Sequence, residues 1–314
     1  MSEHKKDRWM PAMNLQTAKK RAALLQRTRD FFQSRNVLEV ETPLLCHTST
    51  PDPMIDSFAL AGQQGFLQTS PEFAMKRLLA SDYGSIYQIC KAFRQEESGR
   101  NHNPEFTLLE WYRPGFNHHD LMDEMDLFLQ ATLDTQPCDK ISYQALFEKH
   151  FHLNPLIATL EELKTIGSQH NIHYSAEADK DTWLQLILSH VIEPTLGKEK
   201  PIFIYDYPKS QAALSVIKGD IAERFEVYFN GIELANGFHE LTDANEQRAR
   251  FEKENVLREK MGKDTLPTDH LLLSALESGL PNCAGVALGF DRLVMLATEQ
   301  LRIENVIAFT TENT

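Results

Sequence analysis

Two hydrophobic rhythms alternate along the chain. A period near 3.6 residues marks amphipathic helices, and a period of two marks half-buried strands. Residues 1–13 read as a loose leader. Asn14 is placed to cap a helix running to about Arg35, with Leu24, Leu25, Phe31 and Phe32 on its apolar side. "NVLEVETPLL" follows as a short strand halted by Pro43. Ser70-Pro71-Glu72 has the chemistry of a helix start: Ser caps, Pro fills the first turn and Glu complements the dipole. "SIYQICKAFRQEE" and "EFTLLEWY" read as strands joined by polar "SGRNHN", which predicts an antiparallel pair with a long tip. Helical periodicity returns over 119–134, 142–151, 159–169 and 181–192. That block, about 119–195, holds few chemically loaded residues and reads as a helical insertion. "PIFIYDYP" is a strand closed by Pro208, and Asn230-Gly231 is a hairpin signal inside "RFEVYFNGIELANGFHEL". Helices are expected over 243–262 and 268–278. The chain closes on "GVALGFDRLVML", strand into helix.

Strands gather around the polar motifs while helices lie outside them. This predicts an α+β domain built on an antiparallel sheet flanked by helices. The βαβ rhythm of a Rossmann fold is missing, as are a P-loop and G-x-G-x-x-G. With 314 residues, 42% of them hydrophobic, there is ample material for a core. No stretch approaches the roughly 18 apolar residues of a membrane span, and the N-terminus has no apolar core of a secretory signal.

Charge narrows the function. The net charge is −13 and the pI about 5.4. A phosphate-backbone binder carries a basic footprint instead, and the mildly basic "KKRAALLQRTR" reads as a solvated helix face. Acidity suits a cationic substrate or a basic protein partner. Four cysteines lie far apart with no C-x-x-C, so zinc is unsupported and reduced thiols in a cytoplasmic protein are expected.

Three stretches carry candidate chemistry. In "FRQEESGRNHNPEF", Arg94 and Glu96 are separated by one residue and share a face on a strand. A guanidinium takes phosphate oxygens, a carboxylate accepts an amino group, and Phe106 on the returning strand can stack on a flat base. An ordinary surface ion pair with a core Phe fits these residues as well. Glu226, Glu233 and Glu240 follow at intervals of seven. Two Asn-Gly pairs argue against a helical stripe. On a hairpin, clustered acids either hold Mg²⁺ on a triphosphate or neutralise a bound cation. Gly285, Ala287 and Gly289 alternate, so they share one strand face as a shallow floor, and Arg292 stands at the helix entry where anions are favoured. Close helix packing is the other use of such a strand.

The order and spacing of these signals resemble motifs 1, 2 and 3 of the class II aminoacyl-tRNA synthetases. "TSPEF", "RNHNPEFTLLEWY", "NGIELANGFHEL" and "GFDRLVML" are similar in detail to the lysyl-tRNA synthetase catalytic domain, from about residue 15 to 310. The resemblance implies a six- or seven-stranded antiparallel sheet flanked by helices, dimeric through motif 1. Arg94 and Arg292 would be catalytic, Arg94 on the α-phosphate and Arg292 enclosing adenine with Phe106 and reaching the γ-phosphate end. Glu96 would take the adenine amino group. Gln95, His102, Asn103, Glu233, Leu234 and Gly289 would complete the ATP site, with Mg²⁺ on Glu226 and Glu233. Ser70, Pro71, Glu72, Glu110, Tyr112, Asn236, Phe238, Glu240 and Ala287 would line the amino-acid pocket.

Two departures separate the chain from the synthetases. Motif 1 begins almost at once, which leaves no room for an OB-fold anticodon domain of roughly 100 residues. Ala287 also stands where the synthetase motif has glycine, and "EWYRPG" is not synthetase wording. Both features resemble a paralogous family, the elongation factor P lysine ligases. That resemblance implies a single catalytic domain over 1–314, activation of (R)-β-lysine with ATP, transfer to a lysine of elongation factor P, a homodimer, and no tRNA or membrane partner. A synthetase-like ligase using α-lysine or a small-molecule acceptor and a non-catalytic regulatory paralog are the alternatives. Intact Arg94, Glu96, Glu233 and Arg292 weigh against the regulator.

Overall fold

The computed structural model describes residues 9–62, 64–95, 98–175, 177–311 and 313–314. Helix α1 (Leu15–Gln33) begins as expected, with the Asn14 side chain accepting from Thr17 N at 2.9 Å. The segment before it is tied to the other end of the chain: Ala12 N donates to Ala308 O. Three short strands follow, β1 (Leu38–Glu39), β2 (Leu45–Cys46) and β3 (Phe66–Leu67). Next come α2 (Glu72–Leu79) and the long pair β4 (Ile86–Phe93) and β5 (Glu105–Pro114).

The middle block is helical with one strand. It comprises α3 (His118–Leu133), β6 (Asp139–Ser142), α4 (Tyr143–Phe151), α5 (Leu160–Gln169) and α6 (Lys180–Ile187), the last running into a π-turn. Asn117, Ser142, Thr159 and Asp179 cap these helices with their side chains, each cap contributing roughly 1 kcal/mol. Strand β6 escapes the sequence pattern because it is too short to show a period.

Strands β7 (Ile202–Pro208), β8 (Ile217–Lys218), β9 (Ile221–Phe229) and β10 (Ile232–His239) complete the meander. Asn230 and Gly231 connect β9 to β10 with φ of 52° and 72°. Both signs match a type I′ hairpin, the turn that asparagine and glycine favour. Helices α7 (Ala244–Lys260) and α8 (His270–Gly279), capped by Asp243 and Asp269, lead to β11 (Cys283–Gly289) and α9 (Phe290–Ala297).

The main sheet runs β1-β4-β5-β11-β10-β9-β7-β6, with β8 added on β9. Its six central strands are antiparallel, as the pattern predicts, but β1 on β4 and β6 on β7 pair in parallel. The sheet is therefore mixed at both edges. Period-two alternation divides its residues between two faces. Tyr87, Leu109, Trp111, Ala284 and Val286 join a core with α1, α3 and α9, where Phe32 stacks on Tyr87 at 4.4 Å. On the opposite face, Ile204, Ala222 and Tyr228 anchor α4–α6 near one edge. Ile86, Tyr112 and Cys283 anchor α2, α7 and α8 nearer the other. Between these two cores the sheet face is left uncovered.

Candidate active site

Two neighbouring rows across that open face hold several of the candidate residues. In one, Glu110 on β5, Ala287 on β11, Asn236 on β10 and Glu226 on β9 lie in register. In the other, Tyr112, Gly285, Phe238 and Arg224 do the same. A cavity of about 760 Å³ opens above them. Its wall includes Ser70, Pro71, Glu72, Arg94, His102, Asn103, Phe106, Glu233, Leu234, Asn236, Phe238, Ala287, Gly289 and Arg292. Glu110, Tyr112, Glu226 and Glu240 lie behind this wall, buried.

A bulge brings Glu233 to the right side. It pairs with Tyr228, Ala235 pairs with Val227, and Leu234 is the extra residue between them. Simple alternation would turn Glu233 and Asn236 to opposite faces. The bulge resets the phase, so both reach the cavity, while Leu234 and Ala235, which also touch its wall, are buried in the core.

One end of the cavity is cationic. The Arg94 backbone continues the ladder past β4, donating to Pro104 O at 2.9 Å, and its guanidinium lies 5.2 Å from the Phe106 ring centre. Arg292, in the first turn of α9, donates through Nη1 to Glu233 O at 2.7 Å and through Nη2 to His102 Nε2 at 2.6 Å. Its guanidinium also stands 3.6 Å from the Glu233 carboxylate. Asp291 fixes this helix: it accepts from Thr107 N at 2.7 Å and pairs with Arg21 at 2.6 Å. Asn103 is buried and donates to Glu105 O. Gln95 is exposed and outside the cavity wall, its backbone N–H donating to Asp56 O. Glu96 lies outside the described residues.

Acids crowd beneath and beside this end. Glu226 accepts from the Tyr207 and Tyr228 hydroxyls at 2.6 Å and from Arg224. Burial and the charge of Glu226 hold Glu193 at about 7 and raise Glu233 above the ordinary carboxylate range.

The other end is an ionic cluster. The Ser70 hydroxyl accepts from Glu72 N at 3.1 Å and donates to Glu110 Oε2 at 2.8 Å. The helix starts one residue later than expected, with Pro71 rather than Ser70 at the N-cap position, and the Ser70 hydroxyl ties the first helical N–H to the sheet. The Tyr112 hydroxyl donates to Glu110 Oε1 at 2.7 Å. Burial, reinforced by Glu72, pushes the Glu110 carboxyl up to about 8. Lys76, one turn after Glu72, is buried with its ammonium 2.6 Å from both Glu72 Oε1 and Glu240 Oε2. Gly285 makes this crowding possible, because a Cβ there would meet the Tyr112 ring at 2.2 Å and Glu240 Oε1 at 2.5 Å.

Sequence reasoning passed over Lys76, Arg224, Glu193 and Glu254. Lys76 had a signal, its i+4 spacing from Glu72. Arg224 is two residues before Glu226 on the same strand face and donates to Asn236 Oδ1 at 3.1 Å. Glu254 lines the cavity from α7, and burial and Asp52 push it to about 8. A helix as polar as α7 gives no pattern to single it out.

A profile of the tRNA synthetases class II (D, K and N) matches residues 6–313. The chain is 49% identical to a protein of Vibrio atlanticus (strain LGP32) named elongation factor P–(R)-β-lysine ligase, over 96% of this chain and 97% of that one. Proteins of the same name from Pseudoalteromonas translucida (strain TAC 125) and Salmonella arizonae are each 49% identical, over 96% and 97% of this chain. The chain belongs to the tRNA synthetases class II (D, K and N), a family it shares with the elongation factor P–(R)-β-lysine ligases.

Proposed function

We propose that the protein activates (R)-β-lysine with ATP and transfers it to the ε-amino group of a lysine on translation elongation factor P. The observation that carries this reading is one cavity with arginines at one end, carboxylates at the other and a floor of small residues between them. The relatives' names supply the amino acid and the acceptor.

In the first step a substrate carboxylate oxygen attacks the α-phosphorus, and the bond to pyrophosphate breaks. Arg94 holds the α-phosphate, Arg292 balances charge toward the γ-phosphate, and Phe106 offers a flat face to adenine. Such preorganised charge and positioning provide most of the catalysis in this type of transfer. In the second step the acceptor's deprotonated amine attacks the acyl carbon and AMP leaves. Glu233 suits a Mg²⁺ ligand: its side chain lines the cavity and its pKa is raised by burial and by Glu226, a stress that a cation relieves. Glu226 supports that site by charge, since Tyr207, Tyr228 and Arg224 occupy its oxygens. Mg²⁺ there would neutralise phosphate charge as the pyrophosphate departs.

The same reading makes the chain a cytoplasmic homodimer. Leu38, Leu44 and Leu45, beside β1 and β2, are exposed at 52%, 40% and 52%. Among the described residues no helix is long and apolar enough to cross a membrane. The test is pyrophosphate exchange with α-lysine and (R)-β-lysine side by side, followed by intact-mass analysis of elongation factor P after incubation with enzyme and ATP. An enzyme active in exchange that leaves elongation factor P unmodified refutes the acceptor assignment.

A further inference from the structure

Lys76 is the chain's own cation, buried behind the wall of a pocket that is read as binding cations. Its side chain is 1% exposed, and its ammonium bridges Glu72 on α2 and Glu240 beyond β10. Glu110 on β5 joins the same cluster through the Ser70 hydroxyl. Glu240 Oε2 lies 2.6 Å from the ammonium, a buried ion pair that offsets the desolvation of both groups.

We propose that Lys76 is a positioning residue that sets the charge of the amino-acid pocket, neutralising one of three clustered carboxylates and leaving two for a substrate with two ammonium groups. The inference rests on the functional reading above and deepens it. Without Lys76, three clustered acids, Glu110 and Glu240 of them buried, would face two ammonium groups, and one acid would have to stay protonated. With it, the filled pocket is neutral when every group is ionised. Only the substrate carboxylate is then left over, and that is the group consumed by adenylation. Lys76 also ties Glu72 and Glu240 to one ammonium at 2.6 Å each, which holds the two carboxylates in place.

The groups around this cluster bear on its pH response. Glu72 faces it from α2, Glu110 and Tyr112 from β5, His239 and Glu240 from the end of β10, Cys283 from β11 and Glu254 from α7. Burial lowers the Lys76 pKa, but Glu240 and Glu72 outweigh it and the lysine stays charged. Burial raises Glu240 despite Lys76, and Glu110 stands at about 8. The empty pocket therefore holds protons near neutrality that a dicationic ligand expels.

The experiment is pyrophosphate exchange from pH 6 to 9 for the unaltered protein, Lys76→Gln and Lys76→Arg, with thermal melting alongside. Lys76→Gln should raise the amino-acid KM about tenfold and move the acid limb of its pH profile up by about one unit, with the ATP KM unchanged. Lys76→Arg should restore the profile. A lower melting temperature with an unaltered amino-acid KM and profile would make Lys76 a plain staple and overturn the proposal. If Lys76→Gln does not fold, calorimetry on the unaltered protein decides. Binding of (R)-β-lysine or α-lysine near pH 7, in buffers of different ionisation enthalpy, should release protons, fading toward pH 9. No release overturns the charge match. If the unaltered protein exchanges with neither lysine, the functional reading falls and this inference with it. Intact exchange with an unmoved Lys76→Gln profile removes this inference alone.

Discussion

Gly285 and Gly289 stand on the same face of β11, yet the structure gives them different reasons to be glycine. A Cβ on Gly285 would lie 2.2 Å from Tyr112 Cε1 and 2.5 Å from Glu240 Oε1. Comfortable carbon contacts begin near 3.5 Å. Neither neighbour is a loose end: the Tyr112 hydroxyl is held on Glu110, and Glu240 sits against Lys76. Overpacking of this kind costs roughly 1–3 kcal/mol, and two immobile neighbours put Gly285→Ala at about 3 kcal/mol by that scale. At roughly 2–4 °C per kcal/mol for a domain of this size, its Tm should fall by about 6–12 °C. Displacing Tyr112 and Glu240 should also raise the amino-acid KM. At Gly289 the same methyl meets nothing nearer than Arg292 Cδ at 3.4 Å, an ordinary contact, and the backbone has φ of −69°. Gly289→Ala should keep its Tm within about 2 °C but raise the ATP KM, because the methyl stands on the nucleotide floor. Differential scanning and exchange kinetics on both variants separate these outcomes. A Gly285→Ala protein with the parent's Tm and amino-acid KM would refute the packing argument.

Arg94→Ala should fold normally and lose at least about 10²-fold in exchange rate, the usual loss for one preorganised charge donor; near-normal rates would contradict its role. Ala287→Gly should shift preference toward α-lysine within the roughly 1–3 kcal/mol that one methyl can discriminate. An unchanged ratio of the two exchange rates removes Ala287 from specificity. The empty protein should lose stability as pH rises from about 4.5 to 8, since Glu110 binds its proton more tightly folded than unfolded and that contribution is lost as pH passes the folded pKa. Melting scans across that window check the sign, and a Tm that climbs through it would be the wrong sign. Asn230→Val places a β-branched residue at φ 52° and should cost roughly 1–3 kcal/mol, read by denaturant titration; a parent-like midpoint would contradict the turn assignment.

Most of the frame was legible because its elements are long and their periods clean. The β4–β5 pair, the β9–β10 hairpin and the cap at Asn14 follow from local chemistry alone. The parallel edge pairs were not legible. They depend on which distant segments meet, and two- to four-residue strands such as β1 and β6 leave no period. In the site, Arg94, Phe106, Ala287 and Arg292 were found by residue type and spacing. The seven-residue interval of Glu226, Glu233 and Glu240 was visible, but its meaning was not. An even-numbered and an odd-numbered residue share a face only because Leu234 bulges. Lys76 was hidden for another reason. On a helix surface a Glu-Lys pair one turn apart is ordinary, and only burial against Glu240 gives it weight.

The arrangement of charge explains why the middle of the floor is the part free to vary. Gly289 is next to Arg292, at the phosphate end, and Gly285 is beneath Glu240, at the ammonium end. Four strand residues span roughly 13 Å, so opposite fields are separated by a short neutral strip. On the proposed reading, a substrate with a carboxylate at one end and ammonium groups toward the other is pulled taut across it. The carbon that carries the amino group then lies above the centre of the strip, in the row where Ala287 stands between Glu110 and Asn236. Both ends are fixed, Gly285 by packing and Gly289 by ligand clearance. At Ala287 a side chain can grow by one methyl without disturbing either. A change there alters which carbon carries the amino group over the floor and leaves both charged ends intact, so one small residue is the cheapest place for a synthetase scaffold to change its amino acid.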